Sequence, residues 1–337
     1  MNRKVLLILS AGLLVLLLVG WAVTGRSESA LTVYSGRNQN LVEPILERFQ
    51  EETGIKVEVR YGNTAEMAAT LLEEGKNSPA DVFFAQDAGA LGALARENML
   101  TVLPEDIINR VDPRLRSPQE EWVGISGRAR VVAYNTDRVQ ESELPDSILG
   151  FTDPKWKGRI GWPPTNASFQ SFVTALRVQL GEDAARSWLE GILANEPRIY
   201  PNNTSTLEAV GRGEVDVGFV NHYYLFRFKA EQGEAFRVEN FYPRGGDPGA
   251  LVNIAGAGIL RTSDRQDEAE KLIAFLLSDE GQECFASETY EYPLTDRVQA
   301  HETLLPLSEI STPDMDLSDL HDLQGTLILL QETGALD

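Results

Sequence analysis

The stretch LTVYSGRNQNLVEPILERFQEETGIKVEVRYGNTAEMAATLLEEGKNSPADVFFAQD, residues 31–87, switches repeatedly between two hydrophobic spacings. Residues 31–35 read as a strand. Leu41, Val42, Ile45, Leu46 and Phe49 then fall on one helical face, and Thr53-Gly54 stops the run. Residues 55–61 alternate as a second strand, Asn63 with Glu66 suits a capping box, and the helix it opens carries Met67, Leu71 and Leu72 before ending near Gly75. Residues 81–84 form a third strand. This βαβα order predicts an α/β fold with a largely parallel sheet covered by helices. Functional loops in such sheets lie at the carboxyl ends of strands, which nominates Ser35-Gly36-Arg37-Asn38, Gln86-Asp87 and the turn around Tyr223.

Further along, residues 128–134 read as a strand leaving a first lobe, and Pro154-Lys155-Trp156-Lys157-Gly158 introduces a strand at 159–162 where a second lobe begins. Asn166-Ala167-Ser168 precedes a helical pattern reaching Leu180; the segment is an ordinary N-cap or a set of amides facing an anion. Residues 184–194 are helical, and 207–210 begin another short helix. Residues 251–260 look extended and Gly-rich, a return crossing into the first lobe. The acidic tail after Ser311, helical at 323–330, packs against a lobe rather than forming its own domain.

The chain has 337 residues, 42% hydrophobic and 24% charged, enough for two medium lobes. Its net charge of −21 disfavours nucleic acid and anionic membrane surfaces and welcomes a cationic ligand, although acidity also serves solubility alone. Arg3 and Lys4 precede an apolar stretch from 5 to 23, so residues 1–29 read as a signal peptide or an uncleaved membrane anchor. Either way the body lies outside the cytoplasmic membrane. Cys284 is the only cysteine, which excludes an intrachain disulfide and a thiolate metal cluster and suits a buried small hydrophobe. The histidines His222, His301 and His321 are too scattered for a zinc motif.

A strand at 215–220 delivers Tyr223 and Tyr224 to a chain turn, where neighbouring side chains need not alternate across a sheet. Both phenols can then reach one ion. Phenolate oxygen is a hard ligand, and a small, highly charged cation such as Fe3+ favours hard anionic oxygen. Tyrosine pairs also close buried strands with their hydroxyls merely hydrogen-bonded. His222, next to the pair, points elsewhere if the phenols converge and reads as structural.

Taken in order, Val33-Tyr34-Ser35-Gly36-Arg37, Glu51-Glu52-Thr53-Gly54-Ile55-Lys56-Val57, Pro79-Ala80-Asp81-Val82-Phe83-Phe84, Gly127-Arg128-Ala129-Arg130-Val131-Val132, Asn221-His222-Tyr223-Tyr224, Asp247-Pro248-Gly249-Ala250-Leu251-Val252 and Glu291-Tyr292-Pro293-Leu294 make the chain resemble a known family. It is the ferric-iron-binding subfamily of solute-binding proteins that serve ATP-binding-cassette importers. The resemblance implies a two-lobed, type II periplasmic-binding fold, each lobe a mainly parallel sheet flanked by helices, closing over ligand in the cleft. Lobe one is expected at 30–128 and 252–305, lobe two at 129–251 and 306–337. The implied function is a monomeric, non-enzymatic receptor that hands Fe3+ to a membrane permease.

Tyr223 and Tyr224 match the family's paired iron ligands. Where other members place a histidine and a glutamate, this chain has Asn38 and Gln86, and these with Asp87 are expected in the cleft. Tyr134 is a candidate third ligand, or a core tyrosine closing a strand. The departures imply a synergistic anion, carbonate or phosphate, because two phenolates leave Fe3+ short of charge. Arg128, Asn166, Ala167 and Ser168 are its candidate holders, with Asn203 and Asn221 beside them; Arg128 also suits a strand-edge ion pair. The competing reading is a same-fold receptor for a sugar phosphate, polyamine or thiamine-like compound. A hydrolase finds no Gly-x-Ser-x-Gly elbow or His-Glu-x-x-His helix here.

Because tyrosinate ligation releases phenolic protons, Fe3+ affinity is expected to fall on acidification. Competition titrations against a chelator from neutral to mildly acidic pH measure this, and a pH-independent affinity contradicts it.

Overall fold

The computed structural model describes residues 30–336, so the apolar segment at 5–23 and the role expected of it lie outside the described residues. Among those residues no helix is long and apolar enough to cross a membrane. The chain runs β1 (Leu31–Ser35), α1 (Gln39–Thr53), β2 (Val57–Tyr61), α2 (Thr64–Glu74), β3 (Val82–Ala85), α3 (Ala88–Arg96), α4 (Glu105–Ile108) and β4 (Val123–Asn135). It continues with β5 (Ile160–Trp162), α5 (Ala167–Leu180), α6 (Glu182–Ala194), β6 (Arg198–Ile199), α7 (Asn203–Gly211), β7 (Val217–Asn221) and α8 (Tyr223–Gln232). Last come β8 (Val238–Phe241), β9 (Val252–Ile259), α9 (Gln266–Leu276), α10 (Asp279–Glu288), β10 (Tyr292–Pro293) and α11 (Leu323–Glu332).

The local signals explain most boundaries. Gly54 closes α1 in the left-handed conformation at φ 71°, returning its N–H to the Gln50 carbonyl. The capping box expected at Asn63 is absent: Asn63 is the N-cap of α2, but its side chain makes no cap bond. Thr64 ties the head of that helix down instead, its hydroxyl donating to the Gly36 carbonyl at 3.0 Å and accepting the Gln86 N–H at 3.2 Å. Only glycine fits at 36, since a Cβ there would sit 2.1 Å from Thr64 Oγ1. The two loops at the ends of β1 and β3 are thereby fixed to each other.

The strands follow the order β2-β1-β3-β9-β4-β7-β5-β6, with β8 and β10 also paired to β4. Parallel pairing occupies the two ends, β2-β1-β3 and β7-β5-β6, while β9 and β4 join them antiparallel. β4 is longer than the pattern at 128–134 suggested, and all its residues are buried because it serves two neighbourhoods. Its first part pairs with β9 and β10, ending at Ala129 opposite Val252; from Arg130, opposite Asn221, it pairs with β7 and then β8. The partner exchange falls between adjacent residues.

One core runs across this exchange, from β1, β3, α1, α9 and the buried free Cys284 to Val220, Tyr223 and Leu225; the second is aromatic, with Phe172 and Trp188 meeting edge to face at 5.4 Å. The tail does not belong to one side. Leu317 and Leu320 enter the first core, whereas Leu329, Leu330 and Ala335 of α11 and its end enter the second, so residues 306–336 strap the two together. Gly89 on α3 admits the strap, because a Cβ there would come within 2.4 Å of the Leu320 carbonyl oxygen. Gly89→Ala is expected to cost about 1–3 kcal/mol by overpacking, read as a lowered thermal midpoint. An unchanged midpoint would show that the strap is not held against α3.

Candidate functional site

The turn after β7 is a single residue, His222, and the tyrosines open helix α8 rather than occupying a loop. Tyr223 is fully enclosed and Tyr224 nearly so, and their rings stack with centroids 4.3 Å apart and planes 29° apart. The Tyr223 hydroxyl has no hydrogen-bond partner among the described residues. A buried phenol without a partner costs about 1–3 kcal/mol, so the arrangement asks for something to bind there. Burial, then the neighbouring Tyr224, pushes the Tyr223 phenol well above its usual range.

Cations surround the pair. The Arg37 side chain is wholly buried, pairs with Glu291 through Nη2 at 2.5 Å, and faces both phenols. Ser126 donates its hydroxyl to the other oxygen of Glu291. Arg128, on β4, gives Nη2 to the Ile254 carbonyl at 3.0 Å and stands near Tyr223, Asp87 and Arg37. Nε and Nη1 of both arginines lack partners among the described residues. Arg130 lies two residues on, hence on the same face of the strand. Its guanidinium rests over the Phe169 and Phe172 rings and donates to Asn221 Oδ1 at 3.1 Å and Ser168 Oγ at 3.4 Å. The charged or ionisable groups that face it are Arg128, Tyr223 and Tyr224, and burial first, then Arg128, brings it down to about 9.

The candidate anion holders meet beside Arg130. Asn166 caps α5: its Oδ1 accepts the Ser168 N–H at 3.1 Å, the Ser168 hydroxyl at 2.6 Å and Asn203 Nδ2 at 3.3 Å. Asn203 Nδ2 also reaches Ser168 Oγ at 3.2 Å, and Ala167 lies between the two cap residues. The N-cap reading therefore holds, and it builds the polar cluster. Among the described residues Asn203 Oδ1 and Asn221 Nδ2 are buried without partners. Arg128 is not a strand-edge ion pair there: it is held by a carbonyl, and two of its nitrogens have no partner among the described residues.

Of the other expected residues, Tyr134 is placed apart, Asn38 is exposed, and Asp87 joins the arginines. Tyr134 lies opposite Val217, four residues along β4 from Arg130 and hence roughly 13 Å away, in the second core with Glu141 and Glu239 as its nearest charges. Asn38 is an exposed cap of α1, accepting the Asn40 N–H. Gln86 is half-buried, and its Nε2 has no partner among the described residues. Asp87 is buried, caps α3 through Oδ1 and turns toward Arg128 and Ser171; burial raises its carboxyl. Arg37 was nominated only as part of the loop 35–38, and Arg130 and Glu291 had no role assigned, because nothing local marks the long-range pairing of residues 37 and 291. Arg128-Ala129-Arg130 at one-residue alternation was the available signal for Arg130.

His222 is buried and neutral, since burial brings its imidazole down to about 4. Nδ1 accepts the Ala129 N–H at 3.1 Å and Nε2 donates to the Tyr290 carbonyl at 2.9 Å, which fixes the tautomer. Among the described residues no group of three or more His, Cys, Asp or Glu side chains is placed to hold a metal ion.

The family model for bacterial extracellular solute-binding proteins matches residues 77–318. The chain belongs to this family. The major ferric iron-binding protein of Neisseria meningitidis serogroup B is 36% identical, over 90% of this chain and 92% of its own length. The Fe(3+)-binding periplasmic protein of Serratia marcescens is 32% identical, over 94% and 93%. Iron-bound HitA from Pseudomonas aeruginosa superposes with a TM-score of 0.87 at 36% identity, covering 90% of this chain and 99% of that one. The fold is that of the type II periplasmic binding proteins.

Glu291 is fully buried with its partner, so removing its charge strands Arg37. Glu291→Gln is expected to cost about 3 kcal/mol in urea unfolding, and a loss below about 1 kcal/mol would show that the pair is not a buried counter-charge.

Proposed function

We propose that the protein is an extracytoplasmic receptor that captures Fe3+ in the cleft between two lobes and delivers it to the permease of an ATP-binding-cassette importer. The observation that carries this reading is the stacked Tyr223-Tyr224 pair, buried, with the Tyr223 hydroxyl unpartnered and guanidinium groups around it. Phenolates are hard ligands, and no cluster of three or more His, Cys, Asp or Glu side chains competes for the metal among the described residues. Relatives named for ferric iron, aligned over nine-tenths of the chain, support the same cargo.

Two phenolates leave one positive charge on Fe3+, and Arg37, Arg128 and Arg130 add cations against Asp87 and Glu291. A small exogenous anion, carbonate or phosphate, meets this demand. Asn166, Ala167, Ser168, Asn203 and Asn221 would hold it, with Arg130 and Arg128 supplying charge; the unpartnered Asn221 Nδ2 and Arg128 Nε and Nη1 fit such a guest. It would fill coordination positions that the tyrosines leave open. Tyr134, in the second core, has no part in this set. The lobes meet where β4 changes partners at Ala129 and Arg130 and where Val252 begins β9, and opening there would expose the buried pair.

Fe3+ loaded in the presence of carbonate or phosphate should give a visible tyrosinate-to-iron charge-transfer band, abolished by Tyr223→Phe with Tyr224→Phe. Absence of the band in the native protein, or its survival in the double variant, would refute the assignment.

A further inference from the structure

His222 is bonded on every side. Its N–H donates to the Ala129 carbonyl at 3.0 Å while its Nδ1 accepts the Ala129 N–H, a closed pair of bonds one residue before β4 changes partners. Nε2 donates to the Tyr290 carbonyl, the ring stacks on Tyr292 at 4.7 Å, and the His222 carbonyl accepts Asn240 Nδ2 at 2.8 Å. Tyr290 adopts φ 58°, a left-handed conformation uncommon outside glycine and worth keeping only if its surroundings require it. Its ring stacks on Phe226, one helical turn beyond His222, at 5.9 Å. The first turn of α8 is therefore gripped at 222 and 226 by the segment 290–292 that leads from α10 into β10, and Tyr223 and Tyr224 lie between the grips. Glu291, in the middle of the same segment, is the counter-ion of Arg37.

Successive residues on a helix diverge by about 100°, so adjacent phenols converge on one ion only through chosen rotamers, and where that ion would sit relative to Arg37 and Arg128 depends on how the helix head is held. We propose that His222 is the positioning residue for the tyrosine pair: by clamping the head of α8 to Ala129 and Tyr290, it aims both phenols at one metal. This rests on the iron reading above. A ring of similar size would satisfy packing alone; the paired hydrogen bonds add direction. The segment that grips the helix also holds Arg37 before the phenols, so ligand geometry and charge are set by one stretch of chain.

The test compares native protein, His222→Phe, His222→Asn and His222→Gln, all loaded with Fe3+ and carbonate, by visible absorption and by competition with a chelator. His222→Phe keeps a ring against Tyr292 but loses both side-chain bonds. With far-UV circular dichroism unchanged, it should displace the charge-transfer maximum and weaken Fe3+ binding by about tenfold to a hundredfold. His222→Asn retains an acceptor for Ala129 and should recover part of both. An unchanged band with affinity within about twofold of native in folded His222→Phe would overturn the proposal. If that variant does not fold, the same comparison is read from His222→Asn and His222→Gln, and native spectra in both overturn it. Should the double tyrosine variant still lose the band in those cases, the iron reading stands; no band in the native protein removes both.

Discussion

Three guanidinium groups, those of Arg37, Arg128 and Arg130, are buried around one pair of phenols, and among the described residues Asp87 and Glu291 are the carboxylates that face them. Burying a cation without a counter-charge is among the costlier things a fold can do, and it persists only where hydrogen bonds and anions answer it. Glu291 answers Arg37, Asp87 faces Arg128, and Arg130 is met by Ser168, Asn221 and two aromatic rings among the described residues. The remaining demand for negative charge falls on the tyrosines and on whatever enters with the cargo. In the proposed role, deprotonation of the phenols and arrival of an anion are thus coupled to metal capture rather than incidental to it.

The geometry behind this is carried by one strand. Because β4 exchanges neighbours between Ala129 and Arg130, Arg128 and Arg130 share a face while belonging to different halves of the sheet. β7 pairs with the second half and ends at the turn that starts α8, so the tyrosines arrive beside both arginines. The segment 290–292 reaches across from the other half, and the strap through Leu320 crosses back.

Local pattern in the chain already carried the alternating elements, the return strand and the tyrosine pair, since each rests on hydrophobic period or on neighbours in sequence. Gly54 and the Asn166 cap were legible for the same reason. The Asn63 box failed because Thr64 was recruited by Gly36 and Gln86, a tertiary competition that spacing cannot reveal. Tyr134 shares a strand with the cationic residues but lies a full strand segment away, a distance that only the β4-β7 register shows. The Arg37–Glu291 pair joins residues 254 positions apart and left no local trace.

The most direct measurement is the position of iron in crystals of the Fe3+-loaded protein, located by anomalous scattering at the iron edge. The account predicts one peak bonded to the phenolic oxygens of both Tyr223 and Tyr224, with a small non-protein anion completing the coordination beside Asn166, Ser168 and Arg130. Iron bound elsewhere, or an organic molecule in the cleft with no metal between the two phenols, would contradict it.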